Sequence, residues 1–282
     1  MTDKKRPHLS SSSGADRRPR KASKKQPLVL RIMTFNVQAY RSARKTDAKC
    51  LMPTILQRAD IVALQEDLPV PKAPYPSTHA VVASCRAEKT PAGHLMNKIL
   101  VAKRFRPTVE ALAVKVNVTA GCTVPRCATC IRVDGRIVIA NVHLCGGRFD
   151  DPHYKRLQNT KALALQNLLD AVHPDIIVGD FNGEQSTDAA TKTLQNYPLF
   201  RNLKPTENVE FLQYFQSGHR LLEQAGYEPA FIEAGLQPTN KFGGVSDWVY
   251  IRRSLNATVR SVTVINALAC SDHNAVLVEL VL

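Results

Sequence analysis

Polar residues able to do chemistry recur where the apolar runs of this sequence stop. Asp180 and Asn182 follow Ile176-Ile177-Val178-Gly179, with one spacer between them. At a strand end, residues i and i+2 point the same way. The carboxylate and the carboxamide would then stand side by side over one small target, such as a water or a phosphate oxygen. Asn36 ends the run Ile32-Met33-Thr34-Phe35, Glu66 ends Ile61-Val62-Ala63-Leu64-Gln65, and His143 closes the run that begins at Ile137. Asp247 precedes Trp248-Val249-Tyr250-Ile251, and Asp272 and His273 precede Ala275-Val276-Leu277-Val278. Any one of these could be an ordinary cap or turn residue. The whole set is hard to ascribe to caps and turns.

The residue types also fit one chemistry. Carboxylates such as Glu66 and Asp272 are hard oxygen ligands, suited to magnesium or manganese rather than zinc. His143 and His273 could contact a phosphate or carry a proton. A carboxylate such as Asp247 could orient an imidazole. Together this is equipment for metal-assisted phosphoester hydrolysis.

The elements that must position these groups alternate along the chain. Strands are expected at 28–37, 61–64, 79–84, 99–103, 109–118, 131–133, 137–142, 175–180, 248–251, 259–265 and 275–280. Helices are expected at 47–58, 154–172, 187–196 and 209–225. Within 154–172, Leu157, Leu165, Leu168, Leu169 and Val172 fall on one helical face. Asp134-Gly135 is a hairpin-turn signal, and the proline-rich stretch 68–77 reads as a loop. A hairpin and several direct strand-to-strand steps argue against an all-parallel sheet. A layered α/β sandwich with mixed sheets fits better.

At 282 residues, 44% of them hydrophobic, the chain can bury one large core or two small ones. The net charge of +14 favours an anionic partner: nucleic acid, an acidic membrane surface or a phosphorylated ligand. Residues 1–26 hold nine lysines and arginines against two aspartates, half of that net charge. With almost no apolar residues, this segment is expected to be a disordered basic tail, and 27–282 the folded domain. Its clusters Lys4–Arg6 and Arg17–Lys21 resemble a bipartite nuclear import signal; a solvated tail with weak affinity for nucleic acid is the equal alternative. No signal peptide or bilayer-spanning run is evident, so an intracellular protein with reduced thiols is expected. Among the seven cysteines only Cys127-x-x-Cys130 has close metal-ligand spacing, and one such pair falls short of a zinc site.

Six motifs occur in order: Thr34-Phe35-Asn36-Val37, Leu64-Gln65-Glu66, Asn141-Val142-His143-Leu144, Gly179-Asp180-Phe181-Asn182, Ser246-Asp247-Trp248-Val249-Tyr250 and Ser271-Asp272-His273. Each alone is weak, but the ordered set resembles the endonuclease/exonuclease/phosphatase superfamily, the group of deoxyribonuclease I and exonuclease III. The resemblance covers roughly 28–282. It implies a four-layer α/β sandwich, two packed mixed β-sheets flanked by helices, and a magnesium-dependent phosphoesterase. It further implies that Glu66, positioned by Asn36, ligates the metal, with Asp272 close by. Asp180 would hold or deprotonate the attacking water, and Asn182 would orient Asp180 and the phosphate. His273, paired with Asp247, would bind the scissile phosphate, and His143 would contact another oxygen or assist the leaving group. Asn97 matches a weaker family position and would touch substrate or cap a strand. Lys98, Arg148 and Arg156 could reach phosphates or be solvated surface charges.

Departures from the family's branches narrow the choice. Exonuclease III-type abasic-site enzymes carry a tyrosine where this chain has His143. Inositol-polyphosphate phosphatases carry a tryptophan where Val178 stands. Tyrosyl-DNA phosphodiesterases have a threonine where Phe181 stands and a Leu-Arg pair where Gly183-Glu184 stands. The leading expectation is a magnesium- or manganese-dependent nuclease on DNA or RNA. The alternatives are a phosphatase or phospholipase-type hydrolase of a small or lipid phosphoester, a tyrosyl-DNA phosphodiesterase-like repair enzyme, and a binding protein on a retired fold.

Overall fold

Apolar runs rich in Val, Ile and Leu become strands in the structure, as their β-propensity dictates. The computed structural model describes residues 27–38, 47–68, 75–90, 93–117, 126–146, 159–188, 190–191, 205–232 and 236–282. The first sheet is built from β1 (Val29–Asn36), β2 (Ile61–Asp67), β3 (His79–Thr90), β4 (Gly93–Ala102), β11 (Thr258–Ile265) and β12 (Ala275–Val281). The second is built from β5 (Val109–Asn117), β6 (Cys127–Val133), β7 (Ile137–His143), β8 (Ile176–Asp180), β9 (Tyr227–Pro229) and β10 (Asp247–Arg252). Their orders are β11-β12-β1-β2-β4-β3 and β5-β6-β7-β8-β10-β9.

Each sheet has one central parallel pair, β1–β2 and β7–β8, and antiparallel neighbours elsewhere. A helix makes each parallel crossover: α1 (Asp47–Leu56) joins β1 to β2, and α2 (Thr160–Val172) joins β7 to β8. The two sheets therefore repeat one plan, a repeat invisible at the residue level.

Period-2 alternation sorts the side chains of β1. Leu30 and Ile32 enter the core between the sheets, while Met33 and Phe35 face outward and meet Met52, Ile55 and Leu56 of α1. On the far side, Ala164, Leu165, Leu168 and Leu169 of α2 and Leu222 of α3 (Pro205–Gln224) cover the second sheet. The layers run helix, sheet, sheet, helices: a four-layer α/β sandwich.

The same alternation puts Thr34 and Asn36 on the inner face after Leu30 and Ile32. Across the gap, Asn141 Nδ2 donates to the Leu64 and Lys98 carbonyls at 3.0 and 2.9 Å. Gln65 Nε2 donates to Asn141 Oδ1 at 2.7 Å and to Thr34 Oγ1 at 3.2 Å. All three side chains are fully buried. This satisfied polar bridge pins the sheets to each other just below the strand ends.

Several expectations are revised. The hairpin β3–β4 is longer than 79–84 and 99–103 imply, β9 was not expected, and α2 starts at Thr160. The predicted helix 187–196 is helical at 187–188 and 190–191; its remainder, 154–158 and the tail 1–26 lie outside the described residues. The thiols are not all reduced. Cys85 of β3 and Cys127 of β6 form a disulfide with Cα atoms 6.3 Å apart, and Cys145 is also disulfide-bonded. Strands far apart in sequence face each other across the sandwich, which no spacing rule reveals. Cys127 is thus taken, and Cys130 is buried with its thiol pKa pushed up to about 12 by burial. Cys127-x-x-Cys130 is therefore no thiolate pair for zinc. Among the described residues no helix is long and apolar enough to cross a membrane.

Candidate active site

The parallel pairs end at one rim of the sandwich, and their register delivers the functional groups there. In the second sheet His143 of β7 and Asp247 of β10 both pair with Asp180 of β8. In the first sheet Asn36 of β1 pairs with Gln65 of β2. Asn36 reaches across, its Nδ2 donating to Asp180 Oδ2 at 2.9 Å and to Glu66 Oε1 at 3.5 Å.

Glu66 should point outward, because its neighbour Gln65 points in. It does not, because the β2–β4 register shifts between Leu64 and Asp67 and Glu66 takes φ 52°. A bulge with a left-handed non-glycine residue re-aims a side chain at some conformational cost. Here it brings Glu66 Oε1 to 3.8 Å from His143 Nε2. Asn182 also has positive φ, 47°, and this turn lets its N–H donate to Asp180 Oδ1 at 2.8 Å.

Asp180 is only 1% exposed. Burial pushes its pKa up to about 6, helped by the charge of Asp247 and opposed by His273 and by the donors Asn36 and Asn182. The two histidines differ in charge. His273 Nδ1 donates to Asp247 Oδ2 at 2.8 Å. Although burial opposes its charge, the carboxylates Asp247, Asp180 and Asp272 raise its pKa to about 10. It is an imidazolium at neutral pH, with Nε2 3.9 Å from Asp180 Oδ2. His143 is held well below its usual pKa by burial first, then by Arg126 and His273. Arg126 Nη1 donates to His143 Nδ1 at 2.7 Å. A guanidinium can only donate, so the His143 proton must sit on Nε2, which faces Asp180 at 3.5 Å. One imidazole supplies charge, and the other supplies a neutral N–H.

The profile of the Endonuclease/Exonuclease/phosphatase family matches residues 33–273. The chain belongs to that family. No curated protein sequence matches it. Solved structures share the fold at low identity. An AP endonuclease, LMAP from Leishmania major, is 14% identical with TM-score 0.62, over 90% of this chain and 88% of that one. The endonuclease domain of TRAS1, a telomere-specific non-LTR retrotransposon, is 15% identical with TM-score 0.53, over 90% and 98%. Truncated TDP2 from Caenorhabditis elegans is 15% identical with TM-score 0.53, over 90% and 98%.

The family's ordered motifs converge in space. Asn36, Glu66, His143, Asp180, Asp247 and His273 are linked by the contacts above, and Asp272 lies 4.0 Å from His273. Asn182 enters differently from the expectation. Its backbone orients Asp180, while its side-chain Nδ2 donates to the Leu144 carbonyl at 3.0 Å. Asn97 is fully buried and donates to the Cys127 carbonyl at 2.8 Å, tying the two sheets together. Lys98 is buried too, paired with Asp67 at 3.0 Å, so it is neither a phosphate contact nor a surface charge. Arg148 and Arg156 lie outside the described residues. Arg126, which sets the His143 tautomer, has no signature in the sequence; a lone arginine beside a cysteine carries no signal.

The donor set fits a hard divalent cation. Glu66 keeps a 20% exposed side chain at the rim. Asp272 Oδ1 is buried without a hydrogen-bond partner, while Oδ2 accepts from Gln38 Nε2 at 2.8 Å. Glu66 and Asp272, with Asn36 steadying Glu66, would hold magnesium or manganese. Asp180, Asp247 and His273 also cluster, with ligand atoms within 4.8 Å of one another. His273 is cationic there and spends Nδ1 on Asp247, so that group is better suited to a phosphate than to a metal.

Proposed function

We propose that this chain is a divalent-metal-dependent phosphodiester hydrolase acting on nucleic acid. The observation that carries the reading is the environment of Asp180: a buried carboxylate with a raised pKa, between an imidazolium and a neutral imidazole N–H. Above about pH 6 Asp180 is ionised. It would accept a proton from a water aligned for attack on phosphorus. Asn36 and the Asn182 N–H keep the carboxylate aimed. His273 would bind a non-bridging phosphate oxygen and offset its growing negative charge, with Asp247 fixing the ring. His143 would donate from Nε2 to a second oxygen. A magnesium or manganese ion held by Glu66 and Asp272 would supply Lewis-acid polarisation of the phosphate.

The net charge of +14 supports a polyanionic substrate, and half of it lies in residues 1–26. That segment would raise encounter rates with nucleic acid electrostatically. The test is turnover by the purified protein on labelled single- and double-stranded DNA and RNA, beside inositol phosphates, phospholipids and a tyrosyl-DNA adduct. Each substrate is assayed with magnesium, with manganese and with chelator. Metal-dependent cleavage of nucleic acid supports the proposal. Turnover confined to the small or lipid phosphoesters or to the adduct overturns the substrate, and turnover unaffected by chelator overturns the metal.

A further inference from the structure

Helix α2 turns Ala164, Leu165, Leu168 and Leu169 to the core, yet a lysine lies among its buried residues. Lys161 is 1% exposed, and a lysine is almost never buried so fully unless its ammonium has partners. Its partners lie beneath the turn that carries Asp180 and Asn182. Nζ donates to the Asn182 carbonyl oxygen. The rings of Tyr214 and Phe215, on α3, lie 4.1 and 5.0 Å from it. Both are within cation–π range, where a desolvated ammonium gains most. The turn rests directly on this cation: a Cβ on Gly183 would come within 3.1 Å of Nζ and clash with the Phe215 carbonyl.

The neighbouring charges are complementary. Asp180 from β8 and Glu184 from the following loop favour the ammonium, although burial lowers its pKa to about 7. His219 of α3 is neutral, its pKa lowered to about 3 chiefly by burial and also by Lys161. The Tyr214 hydroxyl is engaged elsewhere, donating to the Cys145 carbonyl.

The Asn182 peptide units do two jobs at once. The N–H aims Asp180 and the carbonyl meets Lys161, with the residue in a left-handed conformation that persists only where the surroundings over-determine it. We infer that Lys161 is a positioning residue, whose buried ammonium grips the Asn182 carbonyl from below and so fixes the N–H that aims Asp180. The inference rests on the reading of Asp180 as the base for hydrolysis.

The test compares the full-length protein with Lys161→Met, which keeps the bulk and removes the charge, and with Lys161→Ala. Losing one charge-assisted hydrogen bond should lower kcat about 10- to 100-fold and leave KM within about 3-fold. Propylammonium should restore part of the Lys161→Ala rate saturably, and propanol should not. Amide hydrogen exchange at Asn182 should quicken in both variants without any substrate present. That readout needs no activity, so a wild type that hydrolyses nothing would sink the functional reading and leave this one standing or falling alone. Unchanged kcat with unchanged Asn182 exchange overturns the proposal, as does rescue by propanol equal to rescue by propylammonium. If neither variant folds, lysine-labelled NMR of the unmodified protein at pH 6 decides. Slowly exchanging Nζ protons coupled to the Asn182 carbonyl are expected, and exchange as fast as a surface lysine's overturns it.

Discussion

Two histidines at one site carry opposite protonation: three carboxylates overcome burial at His273, while burial, Arg126 and His273 keep His143 neutral. Asp247 stabilises the His273 cation, whereas Arg126 turns its guanidinium to His143 and forbids a second proton there. Replacing Arg126 with Met frees Nδ1 and lets the two His143 tautomers mix. The expected outcome is a kcat about 10-fold lower, with ¹⁵N shifts of the His143 ring moving from a fixed Nε2–H form toward a mixture. Unchanged ring shifts would show that Arg126 does not choose the tautomer. Asp180, Asn36 and His143, which end apolar runs, and His273, which precedes one, stand out in the sequence as candidates, and the fold gathers them at one rim. Arg126 and Lys161 do not stand out. Their residue types belong on surfaces by default, and only the fold buries them.

At the scale of elements, β7 and β8 approach so closely that one position tolerates no side chain. Gly179 has φ 150°, and a Cβ there would overlap the Val142 carbonyl oxygen of the paired strand. Gly179→Ala must push apart the two strands that carry His143 and Asp180. A cost of about 2 kcal/mol is expected, seen as a Tm lower by ~4–8 °C, together with a loss of activity greater than the stability change alone would give. A variant with wild-type Tm would show that the strands part freely. Most strands were readable from their apolar runs, β9 excepted, and so was the hairpin at Asp134-Gly135, where both residues have positive φ. The β2 bulge was not readable. It depends on how β2 pairs with β4, and a one-residue shift leaves no mark in composition.

At the scale of the whole molecule, the two sheets are held face to face by an apolar core, the Thr34–Gln65–Asn141 bridge and the Cys85–Cys127 disulfide. The Cys85–Cys127 disulfide joins residues 42 apart in sequence and lies on opposite sheets. It should contribute about 2–4 kcal/mol. Scanning calorimetry of Cys85→Ala/Cys127→Ala is expected to show a Tm ~5–15 °C below the oxidised wild type. Equal Tm values would mean that the link adds nothing to the packing between the sheets. The mixed-sheet sandwich was legible from the order of elements and motifs. The disulfide was not, because the facing of β3 and β6 is a property of the folded sandwich alone.

In the proposed reaction Asp180 is the base that activates water, and its raised pKa makes that role measurable. A carboxylate acts as a base only when ionised. Activity should therefore be lost as pH falls through about 6, the value burial gives Asp180, rather than through the ordinary carboxylate range near 4. The decisive measurement is the pH dependence of kcat/KM from pH 4 to 9 on the best nucleic acid substrate, for the wild type beside Asp180→Asn. The expected wild-type profile has an acid limb near pH 6, and Asp180→Asn is slower by at least ~10³-fold with that limb absent. A variant that keeps the same acid limb, or most of the wild-type rate, would contradict the assignment.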